Sequence, residues 1–395
     1  MRLLVVTPFL PDPAAAHGGG SYLASLLSGL AEQAEVGLVA LVSRDEELRV
    51  SDQSPAAIRQ GYFLRRPDRH AGWAGLLDRL RMLWRWRRQP LVAAKHWHPG
   101  MPALLARAIA EFRPDAVLVE LAQMAQYLPF AGGVPTVLTD HEAGCPANTR
   151  TGLGRWGDRR DRRLWNAFVH TQYPRAALLQ ALTPEDANAL ATALGRPVEV
   201  RPPVFMVPAE PVTPGAAPPR ALFLGDYSHA PNPEAATRLA REVLPALRAA
   251  APDCELWLAG VHSERIADLR AHPGVRVVGF VPDLATLFGQ VRLLLAPVWS
   301  GGGFRMKGLA ALAHGLPVVT NALGARGIDV PAAARRVAET PAAMAQAALE
   351  WLQSPALAAK AGAAAFAFAR QNVSPRGVAA LQIARIQSLL AQHRR

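Results

Sequence analysis

The chain reads as an α/β protein built from two doubly wound, Rossmann-like domains facing an interdomain cleft. Three observations predict this. Short apolar runs without alternation, such as Leu3 to Thr7 and Val36 to Val42, suit strands buried on both faces of a parallel sheet. Such runs alternate with helix-length stretches along most of the chain, as parallel sheets with crossover helices require. A proline-rich stretch, residues 207–220, then interrupts the alternation, which restarts at Ala221. With 395 residues, the chain is also too long for one ordinary core. The expected bounds are 1–206 for the first domain, 207–220 for an extended linker and 221–374 for the second domain. Residues 375–395 form a terminal helix expected to pack back on the first domain.

Composition narrows the function classes. Half of the residues are hydrophobic and fewer than a fifth are charged, which suits a globular protein. The net charge is +12, but residues 1–205 carry 24 basic and 19 acidic residues and the rest carry 19 and 12. An excess spread so evenly marks no nucleic-acid surface, and no nucleic-acid partner is expected. Cys145 and Cys254 are far apart with no C-x-x-C, so neither a disulfide framework nor a zinc site is implied. The start, M-R-L-L-V-V-T-P-F-L-P, is broken by two prolines and reads as a first strand, not a signal peptide. No apolar stretch is long enough to span a bilayer, so a cytoplasmic protein is expected.

In the first half, Gly18, Gly19, Gly20 and Ser21 open a helix with an apolar stripe at Leu23, Leu26, Leu27 and Leu30. A glycine turn after the first strand lies where doubly wound folds bind ligands. Residues 62–98 are rich in arginine and tryptophan. Trp73, Leu76, Leu77, Leu80, Leu83 and Trp84 fall at helical spacing, with Arg79, Arg81, Arg85 and Arg88 mostly off that stripe. The plainer expectation is a helix packing this stripe on its own domain. The alternative is a basic amphipathic helix on an anionic membrane surface. Pro135 to Asp140 reads as a strand, and His141 follows at its carboxyl end, the edge where open α/β sheets bind ligands. A histidine there is either a working group or a hydrogen-bonded structural one. Arg155 to Arg163 is a second basic run, opening a helix through Trp165 and Phe168. Thr183, Pro184, Glu185 and Asp186 form a cap for the next helix.

The second half centres on Pro297 to Thr320. A strand, Arg292 to Ala296, leads to the glycine turn Gly301, Gly302 and Gly303, then to a helix from Phe304 to His314 that Gly315 stops. Strand, glycine turn and helix N-terminus make an anion site, because unpaired N–H groups and a partial positive charge face the turn. Arg305 and Lys307 in the first turn oppose the helix dipole unless an anion such as a diphosphate lies before them. The bland alternative is a tight turn carrying two solvated cations.

Several motifs then occur in order: F-L-G-D-Y-S-H-A-P-N-P-E-A from Phe223, L-W-L-A-G from Leu256, V-G-F-V-P-D-L from Val278, and G-G-G-F-R-M-K-G-L-A-A-L-A-H-G-L-P-V-V-T from Gly301. Together they resemble the group-one, family-four-like glycosyltransferases of the GT-B fold. R-P-D-A-V-L-V-E from Arg113 and L-T-P-E-D-A from Leu182 agree more loosely, so the resemblance covers most of the chain. It implies a nucleotide-diphospho-sugar donor held mainly by the second domain, and a glycan or lipid-linked acceptor held mainly by the first. Arg305 and Lys307 would neutralise the diphosphate, with Gly225, Gly301, Gly302, Gly303 and Phe304 around the donor. Phe280 and Val281 would read the base, Gly18 and Gly19 would close over the phosphates, and His141 would approach the donor sugar. Transfer would be retaining and independent of metal, with no resident cofactor. The expected setting is bacterial cell-surface polysaccharide or glycoconjugate synthesis at the inner face of the membrane.

Two positions depart from the family pattern. Ala310 stands where a glutamate usually holds the ribose hydroxyls, and Gly302 stands where an acid is common. A catalytically inactive GT-B protein that binds a nucleotide, a glycan or a partner subunit is therefore the alternative reading.

Overall fold

In the computed structural model, the described residues are 1–12, 18–43, 46–47, 58–66, 72–141, 151–299 and 306–393. The chain divides into two compact units, Met1–Val204 with Pro375–Arg395, and Phe205–Ser374.

The first unit holds seven strands: β1 (Arg2–Thr7), β2 (Glu35–Val42), β3 (Gln60–Arg65), β4 (Ala116–Glu120), β5 (Thr136–Asp140), β6 (Leu178–Ala181) and β7 (Glu199–Val200). Their order in the sheet is β3-β2-β1-β4-β5-β6-β7, and every pair is parallel. Strand order reverses between β1 and β4. β4 and β5 are buried at every position, including the polar Glu120, Thr136, Thr139 and Asp140. Thr183 caps the helix Pro184–Leu194 as expected, accepting a hydrogen bond from the Asp186 N–H at 3.0 Å. The terminal helix Pro375–His393 is tied to this unit by Gln180, which donates to Gln382 at 3.0 Å, and by Gln33, which donates to the Arg376 carbonyl at 2.9 Å.

The second unit holds six strands: β8 (Arg220–Leu224), β9 (Glu255–Ala259), β10 (Val275–Gly279), β11 (Leu293–Leu295), β12 (Val318–Thr320) and β13 (Arg335–Val337). Their order is β10-β9-β8-β11-β12-β13, again all parallel, with the reversal between β8 and β11. Apolar clusters line both faces of this sheet, so it is buried between its helices. The proline-rich stretch does more than link. The Val212 N–H donates to the His314 carbonyl at 2.8 Å, and Phe205, Val207 and Val212 pack on the core of the second unit.

Residues 62–98 are not one helix. They hold the end of β3, a helix Gly72–Trp86 and a short helix Leu91–Lys95. The Leu/Trp stripe of Gly72–Trp86, expected to pack inward, is exposed instead. Gly75, Asp78 and Trp86 take the inward face.

Candidate active site

Each unit gathers polar groups at the carboxyl edge of its sheet, beside the strand-order reversal. Open parallel sheets have a crevice there, because the crossover helices leave to opposite faces.

In the first unit, Glu120 ends β4 and is fully buried. Buried Arg201, just past β7, meets it with both terminal nitrogens. Nη1 donates to Oε1 at 2.6 Å and Nη2 to Oε2 at 2.8 Å. Nη2 also donates to the Tyr22 hydroxyl at 3.2 Å, from the first turns of the helix Gly18–Ala31. His141 follows β5 and places Nε2 3.1 Å from Glu120 Oε2. An ionised carboxylate only accepts, so Nε2 carries the proton of this hydrogen bond. The Tyr22 ring stands edge-on to the imidazole with centroids 5.2 Å apart, fixing its plane. Burial pushes the Glu120 carboxyl up. The Arg201 charge and hydrogen bonds from Arg201 and His141 more than reverse this and bring it to about 2. Burial alone would lower the Arg201 pKa, but Glu120 and Tyr22 together drive it well above the usual value. The Tyr22 hydroxyl is raised, chiefly by burial. Beside this cluster, buried Tyr173 donates to Asp140 Oδ2 at 2.6 Å. The result is a histidine held rigidly by a carboxylate that an arginine has neutralised.

In the second unit, Gly225 follows β8 and Lys307 lies in the first turn of the helix Met306–Ala313. Lys307 Nζ donates to Asn232 Oδ1 at 2.8 Å and lies 4.2 Å from the centre of the Phe223 ring. Asn232 is itself fixed, since its Nδ2 donates to the Asp226 carbonyl at 2.8 Å. A Cβ on Gly225 would come 2.9 Å from Asn232 Cγ, and one on Gly260 (φ +134) would come 1.8 Å from the Gly225 carbonyl oxygen. Only glycines let these two turns close and leave backbone against the edge. The Gly260 N–H donates to the Gly279 carbonyl at 2.8 Å, which fastens the turn after β10. Phe280 beyond it is 67% exposed, while Val281 packs partly on the core.

Of the residues predicted from sequence, Gly225 and Lys307 come together through Asn232. His141 stands in the first unit's cluster, and Gly18 and Gly19 begin the helix that carries Tyr22. Ala310 is 4% exposed inside an apolar cluster and presents only a methyl group. Gly301, Gly302, Gly303, Phe304 and Arg305 lie outside the described residues. Among the described residues, no three His, Cys, Asp or Glu side chains group as metal ligands.

Sequence reasoning missed Glu120, Arg201, Tyr22 and Asn232 as site residues. Glu120 had a signal, a charged residue closing an otherwise apolar strand. Arg201 had none, because its partner lies 81 residues away.

Residues 218–354 match the family model described as glycosyl transferases group 1. No curated protein matches the sequence. Among solved structures, the chain is similar to sucrose-phosphate synthase from Thermosynechococcus elongatus, with 17% identity, 99% of this chain and 100% of that one covered, and a TM-score of 0.68. It is also similar to HepE from Anabaena in complex with UDP, at 15% identity, 98% and 100% coverage and a TM-score of 0.66. HepE in complex with UDP and glucose gives 16% identity, 98% and 99% coverage and a TM-score of 0.64. The fold is GT-B, and the second unit carries a group 1 glycosyltransferase domain.

Proposed function

We propose that this glycosyltransferase moves a sugar from a nucleotide-diphospho-sugar to a glycan or lipid-linked acceptor, with retention of configuration and without a metal. The observation that carries the donor site is Lys307, whose ammonium is held by Asn232 and Phe223 beside the Gly225 turn at the strand-order reversal. A diphosphate before the first turn of that helix would meet a fixed cation, the helix dipole and close backbone. These stabilise the negative charge that develops on the leaving nucleotide. In this reading Arg305 and the turn Gly301 to Phe304 complete the diphosphate site, and Phe280 and Val281 flank the base. Gly18 and Gly19 close over the phosphates, and His141 approaches the donor sugar. UDP in the similar HepE structures favours a uridine nucleotide. The acceptor would belong to a cell-surface glycan, assembled at the inner face of a bacterial membrane.

Titration calorimetry with UDP-, GDP- and dTDP-sugars tests this. A UDP-sugar should bind, and Lys307→Ala should weaken it by about ten- to a hundredfold, the loss of one charge-assisted contact. No binding of any nucleotide sugar at millimolar concentration would sink the donor site. Buried Ala310 favours a second reading, a GT-B protein that binds without catalysing. UDP-sugar binding with no release of UDP when glycolipid acceptors are supplied would support it.

A further inference from the structure

We propose that the helices Gly72–Trp86 and Gly154–Gln172 of the first unit form one rigid face that docks on an anionic lipid bilayer. The docking stands apart from the donor site; only the corollary, that the acceptor is lipid-linked, rests on the glycosyltransferase reading.

The helix Gly72–Trp86 has its amphipathicity reversed. Trp73 is 81% exposed, Leu77 59% and Trp84 58%, and Leu76, Leu80 and Leu83 are exposed beside them. All six lie on one face at i, i+3/i+4 spacing, while Gly75, Asp78 and Trp86 turn inward. A helix that merely covers its domain would bury the stripe. A contiguous apolar surface of this kind marks a binding face. Arg79 and Arg81 are exposed on opposite flanks of the stripe.

The second helix extends the same chemistry and is fastened to the first. Trp156 and Leu153 are exposed at its start, and Arg155, Arg159, Arg162 and Arg163 are exposed along it. Buried Asp161, inside the arginine run, accepts from Trp86 Nε1 at 2.8 Å and from the Leu91 N–H at 2.7 Å. Arg160 donates to the Arg87 carbonyl at 3.3 Å and stacks near both Trp86 and Trp156, 5.5 and 5.9 Å from the ring centres. Trp86, Leu91 and Ala94, with Met82 and Leu164, make a small core between the helices.

Charge decides the occupant. The carboxylates of the two helices are turned inward: Asp78 and Asp161 are buried, and Asp158 bonds the Thr151 N–H and hydroxyl. Among the described residues of the two helices, the exposed charges are thus arginines. A second copy would set like charge against like charge, whereas an anionic bilayer attracts the arginines while the Trp/Leu stripe enters the headgroup boundary. Arg85 is not part of the face. It is half-buried 3.8 Å from the Trp97 ring centre and donates to Gln89 at 3.2 Å.

Flotation of the full chain with phosphatidylcholine vesicles, with and without phosphatidylglycerol, tests the proposal. Wild-type protein should float with the anionic vesicles and be released by salt. Arg79→Ser with Arg81→Ser should weaken binding about thirtyfold, from two arginines at a charged surface. Trp73→Ser with Trp84→Ser should remove most of the binding, including the part that salt does not release. Both variants change exposed positions and should keep the circular dichroism and the UDP binding of the parent, so a failed donor site and a failed docking face are separately visible. Wild type that does not float, or variants that float equally well, would overturn the proposal. So would a dimer in light scattering that the tryptophan changes dissociate.

Discussion

At the carboxyl edge of the first sheet, Glu120 and Arg201 are both buried and share two hydrogen bonds. At the same place in the second sheet, Lys307 is held by a neutral amide and an aromatic face. The first arrangement spends its charges on each other, and what it delivers is the fixed orientation of His141. The second fixes its cation through Asn232, which is itself held by the Asp226 carbonyl beside the Gly225 turn. The first unit holds a positioned imidazole, and the second holds a positioned ammonium. The first is tied to stability, because a buried ion pair is costly to break; the second is the one proposed above to bind the donor.

Breaking the ion pair should give the largest effect. Arg201→Met leaves the Glu120 carboxylate buried and unmatched, which costs about 3–5 kcal/mol of stability. Urea unfolding of the whole chain, followed in the first unit, measures it. Glu120→Gln in the same chain should restore much of that loss, since the stranded charge is gone. A single-variant loss below about 1 kcal/mol would mean that the pair is solvated and the contrast between the two edges is false.

Acid sharpens the same contrast at slightly smaller cost. Glu120 is held at about 2 in the folded chain against 4.5 for an ordinary glutamate. A carboxyl depressed by folding contributes stability that is complete above the unfolded value and is lost as pH falls from 4.5 towards 2. The contribution is on the order of 3 kcal/mol. Unfolding of the first unit should therefore steepen below pH 4.5, and Glu120→Gln should flatten that limb. An acid limb unchanged by the substitution would show that other carboxylates set it.

The difference between the units also explains what the sequence disclosed. Inner strands such as β1, β2 and β11 are legible as apolar runs, whereas β3, β7 and β13 are not, and among the described strands all three lie at sheet edges. Edge strands are half-exposed, so Q-G-Y-F-L-R and R-R-V carry no continuous apolar signal. Lys307 could be singled out from sequence because the helix start it belongs to is local. Arg201 could not, because its meaning depends on Glu120 in another strand. The helix Gly72–Trp86 shows a third limit. Its period was plain, but a period gives the stripe and not the direction in which the stripe faces. That direction was set by Asp161 and Trp86, which bond from two helices far apart in sequence.

The smallest expected effect separates stability from binding within the second unit alone. Gly308 lies in the helix Met306–Ala313, one residue after Lys307, and a Cβ there would meet none of the described residues within 4 Å. Glycine inside a helix costs about 1 kcal/mol relative to alanine, and no contact with a described residue accounts for it. Gly308→Ala should raise the thermal midpoint of the second unit by an amount matching about 0.5–1 kcal/mol. If the donor diphosphate packs against Gly308, an added methyl group would crowd it, and UDP-sugar affinity should fall even as stability rises. Calorimetry on the stabilised variant reads both quantities. A variant that gains stability and binds UDP-sugar as the parent does would move the diphosphate away from the first turn, and with it the role given to Lys307.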